Sequence, residues 1–139
     1  MKKDESRKKR YRDKFDYITD NLENLTLTPK TELEKKGVFY SVQTIIEAIM
    51  DIAAMFVKDL GLQVEDDQRN ISLLVKKLNL DYELEIELKK AYELRNTLVY
   101  HYININEESV LNSASEVIRV ASKWLKIFEK LFVELFNET

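Results

Sequence analysis

Residues 42–57 read VQTIIEAIMDIAAMFV. Wound at 3.6 residues per turn, this stretch is apolar on more than one face. It therefore predicts a helix covered by its neighbours, the central and most buried element of the chain. The composition agrees. Two glycines and one proline in 139 residues are too few for the closely spaced turns of a β-rich fold. A chain of this length reads as one domain, 1–139, able to bury a core of its own.

Four more helices can be drawn around the central one. Tyr11, Phe15, Ile18, Leu22 and Leu25 alternate spacings of four and three, an apolar stripe on a helix over about 6–26. Thr28 followed by Pro29 marks the start of the central helix: a capping hydroxyl, then a proline whose missing N–H costs nothing there. Gly61 is its stop, after Leu60. Asp66 or Asp67 caps a short helix bearing Ile71, Leu74, Val75 and Leu78. Asp81 caps the next, with Glu83 and Glu85 against the positive end of its dipole and Leu84, Leu88 and Ala91 along it. The residues ININ, 103–106, interrupt the pattern. Asn106 then caps a long last helix whose apolar face includes Val110, Val117, Ala121, Trp124, Leu125, Phe128, Leu131, Phe132 and Leu135. The expected fold is all-α, an up-and-down bundle of about five helices.

The absence of cysteine excludes disulfides, thiolate metal sites and a cysteine nucleophile, and suits a reducing compartment. No uninterrupted apolar run approaches the roughly 18–20 residues of a membrane span, and the charged start MKKDESRKKRYRDK is unlike a secretion signal. The expectation is a soluble, cytoplasmic protein with no membrane partner. Residues 1–14 carry eight Lys/Arg and three Asp/Glu, while the remainder carries 14 and 22. Such a basic arm can meet phosphate, pair with an acidic partner, or be a frayed, solvated helix start. No glycine-rich phosphate loop is present, and a single histidine rules out a two-histidine metal motif. No metal or cofactor is expected.

The stretch RNTLVYHY, 95–102, carries the chemistry. With Arg95 set at zero and 100° per residue, Leu98, Val99 and Tyr102 fall within about 60° of it. Arg95 is therefore half-buried and needs acceptors. Glu47 and Asp51, one turn apart on the central helix, are either a polar edge or the anchor of such a cation. In a straight helix His101 lies about 120° round from Arg95 and about 9 Å further along. The bland reading leaves Arg95 paired with an acid, His101 in water near the helix end, and the tyrosines capping the core. The chemical reading pairs a guanidinium that holds phosphate oxygens with an imidazole that moves protons near neutral pH. That combination suits attack of an RNA 2′-hydroxyl on the adjacent phosphorus. One histidine cannot both take and give a proton, so this reading requires a symmetric dimer with two copies of the stretch across one cleft.

Three segments in order resemble a known family. YRDKFDYITDNLENL resembles the first helix of HEPN domains, VFYSVQTIIEAIMDIAAMFVKDLGL the second, including the acid-Ile-Ala step at Asp51, and AYELRNTLVYHYININEESV the signature of the HepT-like branch. The resemblance covers most of the chain. It implies an all-α homodimer acting as a metal-independent endoribonuclease toxin. It also implies a partner, a cognate minimal nucleotidyltransferase (MNT) antitoxin, as in HEPN/MNT (HepT/MntA) pairs. On matching positions it makes Arg95, Asn96 and His101 the catalytic residues and Tyr102 the acceptor of adenylylation.

The branch pattern has four residues between arginine and histidine, and this chain has five. Tyr100 stands at the usual histidine position and His101 at the variable one. The broader HEPN pattern still accommodates the spacing. One residue of register turns a side chain by 100°. Either a π-bulge restores His101 to the cleft, or Tyr100 lines it. In the second case a phenol with an ordinary pKa near 10 is a poor base, and the chain would act as a non-catalytic HEPN-like module that binds the nucleotidyltransferase or a nucleotide.

Overall fold

The computed structural model describes residues 2–137. Its helices are α1 (Lys2–Asn24), α2 (Glu32–Asp59), α3 (Asp67–Lys77), α4 (Tyr82–Tyr100) and α5 (Glu107–Phe136), with a 3₁₀ turn at Tyr102–Asn104 between the last two. No strand occurs among the described residues. The central position of α2 follows from its sequence. It packs against α1, α3, α4 and α5, and from Val38 to Val57 it buries residues on all but a narrow polar strip. An 18-residue window of this helix is apolar enough to cross a membrane by length and composition, and 61% of it is buried inside the bundle.

Local chemistry sets the helix ends. Asp66, Asp81 and Asn106 cap α3, α4 and α5 through their side-chain oxygens. Gly61 ends α2 with φ at +81°, where its N–H reaches Lys58 O at 3.0 Å and the Leu62 N–H reaches Val57 O at 2.9 Å. This is the paired bonding of a left-handed helix stop. Asn79 ends α3 in the same way at φ +54°. The start of α2 differs from the expectation at Thr28-Pro29. The helix begins three residues later, with Thr31 as its cap. Thr31 Oγ1 accepts the Glu34 N–H at 3.0 Å, and Glu34 Oε2 accepts the Lys30 N–H at 3.1 Å. Two otherwise orphaned donors are thus satisfied by one Thr-x-x-Glu unit, which outcompetes a lone hydroxyl before proline.

The basic arm is helical from Lys2, and Arg7 docks it on the end of α2. Arg7 Nε lies 2.9 Å from Asp59 Oδ2, and Arg7 Nη2 donates to Met55 O at 3.3 Å. The buried Tyr11 hydroxyl donates to the same carboxylate at 2.5 Å. Burial first, then that carboxylate, pushes the Tyr11 phenol well above its ordinary range. Tyr11 also stacks within an aromatic cluster, 4.5 Å from Phe56 and 5.7 Å from Phe132. Trp124, fully buried, ties α5 to α4 through Nε1–H to Leu84 O at 3.2 Å.

Asn70 is the one buried polar residue among the described residues. Its amide clamps the loop before α3, accepting the Glu65 N–H at 2.8 Å and donating to Glu65 O at 3.1 Å. Asn70→Ala leaves both backbone groups without their partner. It is expected to lower unfolding free energy by about 1–3 kcal/mol in a urea titration. An unchanged midpoint would show that water replaces the clamp at no cost.

Candidate functional site

The burial of α2 creates the site. Its polar strip includes Gln43, Glu47 and Asp51, and α4 lays Arg95 against it. Arg95 Nη2 donates to Glu47 Oε2 at 2.7 Å, and Nη1 donates to Asn96 Oδ1 at 3.1 Å. The Arg95 side chain is 21% exposed, the half-buried state its helix position requires, and Glu47 is 35% exposed. Arg95 Nε is buried without an acceptor. The Glu47 carboxylate first, opposed by burial, raises the guanidinium pKa above its already high value, so Arg95 is a fixed positive charge. Each terminal nitrogen has two hydrogens. One on each is taken by Asn96 and Glu47, and Tyr100 also interacts with the guanidinium.

Further groups orient this pair. Gln43 Nε2 donates to Glu47 Oε1 at 3.4 Å. Tyr92, one turn before Asn96, interacts with the Asn96 amide and with Asp67 in the first turn of α3. Asp67 also feels the Arg95 charge, while burial raises its pKa from the ordinary carboxylate value. Gln68 Nε2 to Glu93 Oε1 at 2.7 Å holds α3 against α4 beside them. Asp51, read as a possible second anchor, does not bond Arg95. It is 62% exposed and pairs with Lys14 of α1 at 3.2 Å, because one turn along α2 the strip faces a different neighbour.

The register of His101 is resolved by the end of α4. The helix runs to Tyr100 and His101 is its cap, at φ −125° and ψ 29°. The His101 N–H bonds Thr97 O at 3.0 Å, the ordinary four-residue spacing, so the compensating π-bulge is not formed. The His101 imidazole is exposed and has no hydrogen bond or ion pair among the described residues. Tyr100, 71% exposed, instead reaches the Arg95 guanidinium electrostatically. Tyr102, 51% exposed, opens the 3₁₀ turn and lines a groove with Lys36, Phe39, Tyr40, Gln43 and Leu98.

Gln43 and Tyr92 were within reach of the sequence, since each stands four residues from a site residue on the same helix face. Asp67 carried only a capping signal. Its approach to Tyr92 depends on how α3 docks. No group of three or more His, Asp or Glu suited to a metal ion occurs among the described residues.

A family model described as ribonuclease HepT-like matches residues 9–127. The chain belongs to the HepT-like family. Two Archaeoglobus fulgidus proteins, each named "Putative RNase", are similar along nearly their whole length. One is 41% identical over 93% of this chain and 98% of its own, and the other 38% identical over 90% and 98%. The HepT-like helices also superpose on a solved chain from a toxin–antitoxin MntA–HpeT mutant. The TM-score is 0.75 at 17% identity, over 86% of this chain and 98% of that one. At that identity the likeness speaks for a shared fold.

The Arg95–Glu47 pair is open to a direct energetic test. In a double-mutant cycle of Glu47→Ala and Arg95→Ala, the two changes are expected to be non-additive by about 1–2 kcal/mol of unfolding free energy, since removing either partner strands a half-buried charge. Additivity to within about 0.3 kcal/mol would mean the pair is no more than a solvated surface contact.

Proposed function

We propose that this HepT-like chain is a metal-independent endoribonuclease, the toxin of a pair whose antitoxin is a minimal nucleotidyltransferase. The observation that carries the reading is Arg95, a fixed cation held by Glu47 and Asn96, in a family named for ribonuclease activity. The names of the Archaeoglobus relatives support RNA as substrate, and the toxin–antitoxin character of the structural neighbour supports an antitoxin partner.

In this reading Arg95 binds the scissile phosphate and stabilises charge that builds on its equatorial oxygens. The RNA 2′-oxygen attacks the adjacent phosphorus and gives its proton to a base. The bond from phosphorus to the 5′-oxygen breaks, and that oxygen takes a proton from an acid. The products are a 2′,3′-cyclic phosphate and a 5′-hydroxyl. His101 supplies one proton transfer from each of two protomers, so the working unit is a homodimer with two copies of 95–102 facing one cleft. His101 is the single residue between α4 and the 3₁₀ turn, and in this reading its exposed imidazole turns toward the cleft shared with the second protomer. Tyr102, 51% exposed, is the expected acceptor of an adenylyl group, and Tyr100 the alternative.

A second reading rests on one observation: Tyr100, not His101, is the side chain near Arg95. It makes the chain a non-catalytic module that binds the nucleotidyltransferase or a nucleotide.

Purified protein is expected to cut RNA in the presence of EDTA. Arg95→Ala and His101→Ala are each expected to lower the rate by about 10²–10⁴-fold with the helical circular dichroism unchanged. Full activity in both variants contradicts the ribonuclease reading. An inactive wild-type protein that co-purifies with the nucleotidyltransferase supports the second reading instead.

A further inference from the structure

On the face of α2 N-terminal to Glu47, Tyr40 and Lys36 are used by neither the core nor the Arg95 pair. Tyr40 is 64% exposed in the first third of α2, next to the buried Val38 and Phe39. Lys36, one turn before it, is exposed and makes no ion pair among the described residues, whereas its neighbour Lys35 is paired with Glu32 at 3.2 Å. Tyr40, Lys36 and Gln43 line one groove with Tyr102, which comes from the turn after α4. The floor is apolar, formed by the buried Phe39 and Leu98. Two exposed phenol rings over an apolar floor, an amide and a free ammonium are what a planar, hydrogen-bonding, phosphate-linked group requires.

The groove is continuous with the candidate site. Gln43 bonds Glu47, and Glu47 bonds Arg95. Along α2 the step from Glu47 to Gln43 is about 6 Å and to Tyr40 about 10 Å, so a chain whose phosphate sits at Arg95 can place an adjoining base between the tyrosines. On the far side of Tyr102 a second recess is edged by Glu32 and Glu107 together with Lys35 and Lys36, a balanced set of charges. Glu32 engages Lys35, so Lys36 is left, among the described residues, to meet a backbone phosphate at this end of the groove.

We propose that this groove is a base-stacking subsite for single-stranded RNA, with Tyr40 as its platform, Gln43 facing the base edge and Lys36 on the backbone. The inference rests on the ribonuclease reading and adds a substrate class to it. An unstacked base fits between two side-chain rings, and a base still paired in a duplex does not. An adenylyl group on Tyr102 would occupy the mouth of the same groove.

The test uses the full chain and a fluorescently labelled single-stranded RNA, with the same sequence in a duplex as comparison. Anisotropy titrations and cleavage rates are measured for wild type, Tyr40→Ala and Tyr40→Phe. Tyr40 is exposed, so the substitutions leave the core intact, and circular dichroism checks this. Tyr40→Ala is expected to weaken single-strand binding by roughly 5- to 100-fold, raising KM with kcat nearly unchanged. Tyr40→Phe is expected to retain binding, and the duplex to bind poorly to all three. If wild type binds and cuts RNA but Tyr40→Ala does so equally well, the subsite is overturned and the ribonuclease reading stands. If Tyr40→Ala loses only its association with the nucleotidyltransferase, the groove is a protein-docking surface and the proposal fails. A wild-type protein that does not bind RNA overturns both.

Discussion

The molecule is organised by the need to cover α2 on almost every side. A helix with Val42, Ile45, Ile46, Ile49, Ile52, Ala53, Phe56 and Val57 all buried gains stability only if other helices surround it, and four do. The same constraint creates the chemistry. Glu47 and Asp51 occupy the strip that α2 leaves polar, and the helices closing over it must bring cations. Lys14 meets Asp51 near the surface. Arg95 meets Glu47 deeper, where half-burial makes the pair directional and keeps the guanidinium in one place. A residue held this way is pre-positioned for an anion, a property that a freely moving surface arginine lacks.

Most of the architecture was legible because it is written in local chemistry. The alternation of apolar spacings located α1 and α5, and Asp66, Asp81, Asn106 and Gly61 each mark a helix end through a bond they make within a few residues. The beginning of α2 was misplaced for a local reason too. Two capping signals stand three residues apart, and the one with a glutamate to reciprocate prevails. Arg95 and Glu47 were visible as a half-buried cation in need of an acceptor and an acid on the helix that could supply one.

The remainder was not legible because it depends on tertiary placement or on one residue of register. Nothing in the sequence around LVYHY states whether α4 ends before or after the histidine. No glycine or proline stands there, and the helix stops at Tyr100 as the chain turns through 102–104 toward α5. That stop leaves Tyr100 near Arg95 and His101 outside the helix. Tyr40 and Lys36 gave no signal at all. They look like ordinary exposed positions near a helix start until the packing of the 3₁₀ turn brings Tyr102 beside them.

In the proposed mechanism Arg95 is the phosphate-binding charge of a transesterification driven by protein side chains. Its most direct test is the chemistry of the ends produced when purified wild-type protein cuts a defined single-stranded RNA. The mechanism predicts 2′,3′-cyclic phosphate and 5′-hydroxyl termini, formed equally with and without EDTA. Termini bearing 3′-hydroxyl and 5′-phosphate, or cleavage that stops when EDTA is added, would contradict it.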